Sequence, residues 1–365
     1  MNDHRMAGPG IYCDCFLWLV SERLWIDIHF RFLVILHAMG RHDMRIGNIA
    51  ITLFLLTASI GGWAQTPAPA GRFELQAKSP KFWDLFDKAA ALEKVAGGFS
   101  FTEGPVWDEK GRFLYVSEED QNRVMRVYPD GRVETVLSIG DPDGATFDQH
   151  HRLIETASVL RAMIALAPDG RYKVLADNYE GKKLNSPNDV VLGPDGALYF
   201  TDPTYDLVKG EKQELPYQAI FRMDDTGALK LLATDMKQPN GLAFSPDGKR
   251  LYVDDTRARE IRVYDFVRGE MKNGRLFAKE SEEGGEGPDG MKVDVHGNVW
   301  VTGTGGIWVF DPDGTHLGTV MLIEPAANFA WGDAGFSTLY LCGRASMYKL
   351  KTKVKGFVPY VVYAK

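Results

Sequence analysis

The chain has 365 residues, 45% of them hydrophobic and 12% aromatic, with 38 Gly, 18 Pro and 3 Cys. That composition excludes a disordered chain, a collagen-like fibre and a disulfide-stapled mini-protein, and the length suits one large domain or two ordinary ones. Its 42 Lys+Arg against 49 Asp+Glu give a formal charge of −7, which repels phosphate backbones and argues against a nucleic-acid partner.

The first 64 residues differ from the rest. They hold Cys13 and Cys15, four of the eight His and no Lys. From Met44, Arg45 supplies a short positive region and Ala50 to Ile60 an apolar core. Gly62-Trp63-Ala64 then places small residues three and one before a cleavage point ahead of Gln65. The apolar run is shorter than the roughly 18–20 residues that span a bilayer. The run from Phe16 to Ala38 is interrupted by Glu22, Arg23, Asp27, His29 and Arg31, which makes a stable membrane span costly. The expectation is a signal peptide over 44–64 and a periplasmic or secreted protein. Residues 1–43 are expected to lie upstream of the true start, the alternative being a genuine long extension.

Residues 65–90 read as a linker and a short helix, with helical character running over 80–95 (PKFWDLFDKAAALEKV). Beyond residue 64 one cysteine remains, Cys342. It lies in an alternating apolar run and reads as a buried, inert thiol.

From about residue 100 the sequence repeats six times. DEKGRFLYVSE, DQHHRLIETA, GPDGALYFTD, SPDGKRLYVDD, DVHGNVWVTG and GDAGFSTLYLCG each join a polar turn to a β-rich run. A second hairpin follows each, as in RVMRVYPDGRVETVL. Four short strands per unit of 40–50 residues predict an all-β fold, a six-bladed β-propeller over 91–365.

The repeat also predicts a site. Eight residues before the turn position of each unit stand Glu103, Asp143, Asn188, Asn240, Asp289 and Asn328. Equivalent repeat positions line the central channel, so six side-chain oxygens are expected at one mouth. Such hard donors suit Ca²⁺ best, with Mg²⁺, Mn²⁺ and Zn²⁺ also possible. Asn-Gly and Asp-Gly are also good turn chemistry, but that explains Glu103 poorly.

The segments FTEGPVWDEKGRFLYVS, YEGKKLNSPNDVVLGPDGALYFTDPTY, KQPNGLAFSPDGKRLYVDDT and EGPDGMKVDVHGNVWVTG resemble the gluconolactonase and senescence-marker-protein (regucalcin) family of six-bladed propellers. The resemblance implies one divalent cation held by Glu103, Asn240 and Asp289, with Asp289 as the acid/base. It implies substrate binding by Asn188, and by Asp202 and Tyr205 of the TDPTY motif, for which strand-end hydrogen bonding is an equal reading. The implied activity is hydrolysis of a lactone. There a bound cation polarises the carbonyl and activates water while a carboxylate moves the proton. Another ester or organophosphate hydrolase, and a non-catalytic binding propeller, are the competing readings. His296 and His316 are expected in solvated turns, and Glu280 to Glu286 (ESEEGGE) as a solvated loop. The apolar loop in ETASVLRAM leaves room for a substrate other than an aldonolactone. Oligomeric state is not encoded in any of these features.

Overall fold

The computed structural model describes residues 71–208, 210–280 and 285–363. The expectations for residues 1–43, for the signal peptide over 44–64 and for the linker before residue 71 lie outside the described residues.

Six antiparallel sheets of consecutive short strands form the six blades. Their inner strands are Thr102–Asp108, Pro142–Phe147, Val190–Leu192, Pro239–Phe244, Met291–Val293 and Ala326–Gly332. Each pairs with a second strand: Phe113–Glu118, Leu153–Ala157, Leu198–Asp202, Arg250–Asp255, Val299–Gly303 and Thr338–Gly343. These second strands are almost wholly buried because neighbouring blades cover both faces. Their continuous apolar and aromatic content follows from that double cover rather than from a one-sided sheet. The cores lie between blades, where Trp107 of the first stacks on Tyr340 of the sixth at 5.6 Å.

The ring closes with its two ends in one sheet. Glu93–Gly97 is the outermost strand of the sixth blade, paired with Ser346–Lys351. A further strand, Glu74–Ala77, adds to the outer edge of the fifth blade. This corrects the helix expected over 80–95. Only Pro80–Asp84 coils, as a 3₁₀ turn capped by the Ser79 hydroxyl. Helix propensity in KAAALEKV is worth a few tenths of a kcal/mol per residue, which the pairing of Glu93–Gly97 with the last blade outweighs. The apolar spacing there has another use: Phe82, Leu85 and Phe86 are buried beside Trp300, Val309 and Val320.

One end of the channel is apolar. Val106, Val191, Ala243 and Ala330 line it, together with Phe357–Tyr360 of the C-terminal segment. Tyr360 donates its hydroxyl to the Trp107 carbonyl at 2.9 Å. The other end holds the polar site.

Candidate functional site

The second residue of an inner strand, or in the third and fifth blades the residue two before the strand begins, meets its neighbours around the channel. Gly144 N–H donates to the Asn188 carbonyl at 2.9 Å, and Gly290 N–H to the Ala327 carbonyl at 2.8 Å. Hydroxyls on the second strands reach the same carbonyls in the next blade. Ser117 donates to Asp143 O at 2.7 Å, Thr201 to Asn240 O at 2.8 Å and Thr302 to Ala327 O at 2.8 Å. Such close approach leaves no space for a side chain one residue further on. A Cβ at Gly104, whose φ is +50°, would lie 1.8 Å from the Asp143 carbonyl oxygen.

This register corrects one expected position. Ala327, not Asn328, is the sixth equivalent of Glu103, Asp143, Asn188, Asn240 and Asp289. The sixth unit carries one extra residue in its turn, so counting back eight stops one residue short. Asn328 instead matches Asp189: each side chain accepts from the next residue's N–H, at 2.8 and 2.7 Å.

The five remaining oxygens do converge. Glu103, Asp143, Asn188, Asn240 and Asp289 line one cavity of about 340 Å³, with Phe101, Glu119, Tyr205, Asp206, Thr256, Glu286 and Arg344 also lining it. The first four are buried and Asp289 is partly exposed. Among the described residues no group of three His, Cys, Asp or Glu side chains is placed to hold a metal by itself, so a hard cation here needs amide oxygens as well.

The donor set fits such an ion. Glu103 Oε2 accepts from the Gly104 N–H and from Asn328 Nδ2, the latter at 2.8 Å, while its buried Oε1 has no partner. Asn240 Nδ2 is tied to the Thr256 hydroxyl at 3.2 Å, and Asn188 Nδ2 to Asp143 Oδ2. Each side chain is thus anchored through one polar atom, leaving an oxygen for the cavity. Two carboxylates and amide oxygens are ligands for Ca²⁺ or another hard ion. The electrostatics agree. Burial first, then the nearby Asp189 charge, raises the Glu103 carboxyl to about 7. Burial and then Glu103 push Asp289 well above the ordinary carboxylate range. Crowded, desolvated carboxylates of this kind gain most from a cation among them.

The two remaining expected contacts separate. Tyr205 lines the cavity and is 60% exposed at its mouth. Asp202 does not line it. Its Oδ2 accepts the Asn185 N–H at 2.9 Å, and the side chain is fully buried. Glu118 and Asp255, at the same repeat position, bond to the Ser100 and Gln238 N–H groups in the same way. The role is tying a strand end to the loop that precedes its blade.

Further residues of the site carry no repeat signal. Glu286, expected in a solvated loop, borders the cavity and pairs with Arg344. Glu280 is also not solvated: its side chain is 6% exposed and lies 2.8 Å from the Arg259 guanidinium. His316 is in a strand, stacked 4.5 Å from Trp308, rather than in a turn. Below the oxygen ring lie Asp189 and Lys292, whose Nζ is 3.8 Å from Asp189 Oδ2 and 2.9 Å from Asn328 Oδ1. Cys342 is fully buried, and burial raises its thiol far above the ordinary value. It is inert at neutral pH.

A ring propeller with a buried carboxylate–amide cluster at one channel mouth defines the class, and comparison places the chain within it. Residues 101–343 match the SMP-30/Gluconolactonase/LRE-like region, and the chain belongs to that family. It is 32% identical over 306 residues to a gluconolactonase of Zymomonas mobilis, covering 76% of this chain and 86% of the relative. It is 29% identical to a pentonolactonase of Haloferax volcanii, over 66% and 80% of the two chains. A solved gluconolactonase structure from Xanthomonas campestris superposes with a TM-score of 0.72 at 31% identity, covering 78% of this chain and 99% of that one.

Proposed function

We propose that the protein is a lactonase of the gluconolactonase type, opening a sugar lactone or a related cyclic ester in the channel-mouth cavity around one divalent cation. The observation that carries this reading is the convergence of Glu103, Asn188, Asn240 and Asp289 on one cavity, in a chain 32% identical to a gluconolactonase. Glu103, Asn240 and Asp289 would hold the cation. When bound, it supplies Lewis-acid polarisation of the lactone carbonyl and of water.

The chain's own residues perform the proton traffic and the positioning. Asp289 is partly buried, with a carboxyl of raised proton affinity. It takes a proton from the water that attacks the lactone carbonyl carbon. It returns that proton to the ring oxygen as the ring C–O bond breaks, giving the open hydroxy acid. Asn188 and Tyr205 border the same cavity and orient the sugar hydroxyls. The abundance of carboxylates around the cavity favours an uncharged lactone going in and an anionic product coming out.

The test is hydrolysis of gluconolactone and of pentonolactones by the purified protein, with and without chelator. Turnover of no lactone under any cation supplementation would remove the reading. Export of the mature chain, starting at Gln65, belongs to the same proposal. N-terminal sequencing of exported protein checks it, and a mature chain still carrying Cys13 would refute it.

A further inference from the structure

Three residues below the ring, the inner strands again occupy equivalent positions. Opposite the second-strand residues Tyr115, Ile154, Tyr199, Tyr252, Trp300 and Tyr340 stand Val106, Thr146, Val191, Ala243, Lys292 and Ala330. Five are small or apolar. The fifth blade alone places a charge there, on the floor between the polar cavity and the apolar end of the channel.

The surroundings of Lys292 define what that charge does. Its Nζ lies 2.9 Å from Asn328 Oδ1, 3.8 Å from Asp189 Oδ2 and 5.8 Å from the Phe329 ring centroid. Asn328 Oδ1 also accepts the Phe329 N–H. With its oxygen held by an ammonium and an amide, the Asn328 side chain has only its NH₂ to present upward, and that group donates to Glu103 Oε2 at 2.8 Å. Gly290 makes room for this: a Cβ there would lie 2.2 Å from Asn328 Cγ. The relay from Lys292 through Asn328 to Glu103 leaves Glu103 Oε1 as the one unpartnered oxygen of that carboxylate, in a residue that lines the cavity.

We propose that Lys292 is a positioning residue for the cation site, acting through Asn328 to fix which oxygen of Glu103 is presented. This inference rests on the cation reading above. It makes a prediction of definite sign. An ammonium that is only a neighbour of the site repels a divalent cation, so its removal would tighten binding. An ammonium that orients a ligand through a second residue does the opposite, since loss of such a support costs about 10- to 100-fold in metal affinity.

The experiment is calorimetric titration of Ca²⁺ alone into chelator-treated wild type, Lys292→Met, Lys292→Arg, Asn328→Ala and the Lys292→Met/Asn328→Ala double variant. Melting of each apo protein is recorded alongside. The expected result is affinity about tenfold or more weaker for Lys292→Met and for Asn328→Ala. The double variant is no weaker than Asn328→Ala alone, because both changes break one relay. Lys292→Arg keeps a donor and retains most of the affinity. Unchanged or tighter binding by Lys292→Met, or losses that multiply in the double variant, overturns the inference. If Lys292→Met fails to fold, wild-type affinity in Asn328→Ala overturns it instead. A wild-type chain that binds no cation removes the cation reading and this one with it, a result distinct from the others.

Discussion

The amide of Asn328 lies 2.8 Å from Glu103 Oε2 across the junction where the last blade meets the first, 225 residues away in sequence. The ring's closure therefore completes the site as well as the fold. Glu103 comes from the first blade's inner strand and is oriented by the last blade's. Both depend on Glu93–Gly97 being drawn into the last sheet.

Asp289→Ala is expected to lower kcat on a responsive lactone by about 10²–10⁴-fold, the usual worth of a positioned general acid/base. Because Asp289 is also a proposed cation ligand, Asp289→Asn is the companion variant. It retains an oxygen donor but cannot accept a proton. If Asp289 moves the proton, kcat stays low in Asp289→Asn at saturating cation. Recovery of wild-type kcat there would make it a ligand only.

Stability of the cation-free protein is expected to fall as pH rises. Glu103 titrates near 7 in the folded state against 4.5 ordinarily, and Asp289, Asp143 and Asp254 are raised by burial too. Between about pH 4.5 and 7 the folded chain holds protons that the unfolded chain has released, so unfolding is favoured as pH increases. Thermal melting in chelator should therefore give a lower Tm at pH 8 than at pH 5.5. Added Ca²⁺ should raise Tm more at pH 8, where the ligand carboxylates are ionised. An apo Tm that climbs across this range would contradict the assignment.

Glu155 is fully buried on the second blade's second strand. The Ser117 hydroxyl donates to the Asp143 carbonyl at 2.7 Å, and its oxygen lies beside Glu155 Oε1. One hydroxyl proton cannot serve both, and burial raises the Glu155 carboxyl well above its ordinary value. The expectation is a protonated Glu155 that donates to the Ser117 oxygen. Glu155→Gln preserves that donor, so denaturant unfolding at pH 7 should change by less than about 1 kcal/mol, whereas Glu155→Ala also opens a cavity and costs more. A large loss in Glu155→Gln would show that the charged form is needed.

Phe82→Ala tests the corrected N-terminal segment. Phe82 is fully buried, 5.0 Å from the Phe86 ring, in the cluster that holds Trp300 and Val320. Truncation should cost about 3–5 kcal/mol, visible in urea unfolding. A loss below about 1 kcal/mol would mean that this segment is not part of the cooperative core.

Six turns at a regular interval, each followed by an aromatic-bearing β run, determined the number of blades. They also determined that Glu103, Asp143, Asn188, Asn240 and Asp289 share one channel mouth, because equal positions in equal repeats become equal positions in space. The sequence spoke less truly at the sixth unit, where one extra turn residue shifted Asn328 out of the ring. It was silent on Lys292, Asp189 and Arg344 and read Glu286 as solvated, because the residue types at these places do not recur from blade to blade even where, as for Lys292, the position does. Over 80–95, local helical propensity misled because strand pairing with a partner more than 250 residues away outweighs it. What only the tertiary structure decided is which atom each side chain keeps for the cavity. That choice is made by hydrogen bonds from neighbouring blades, and no spacing along the chain encodes it.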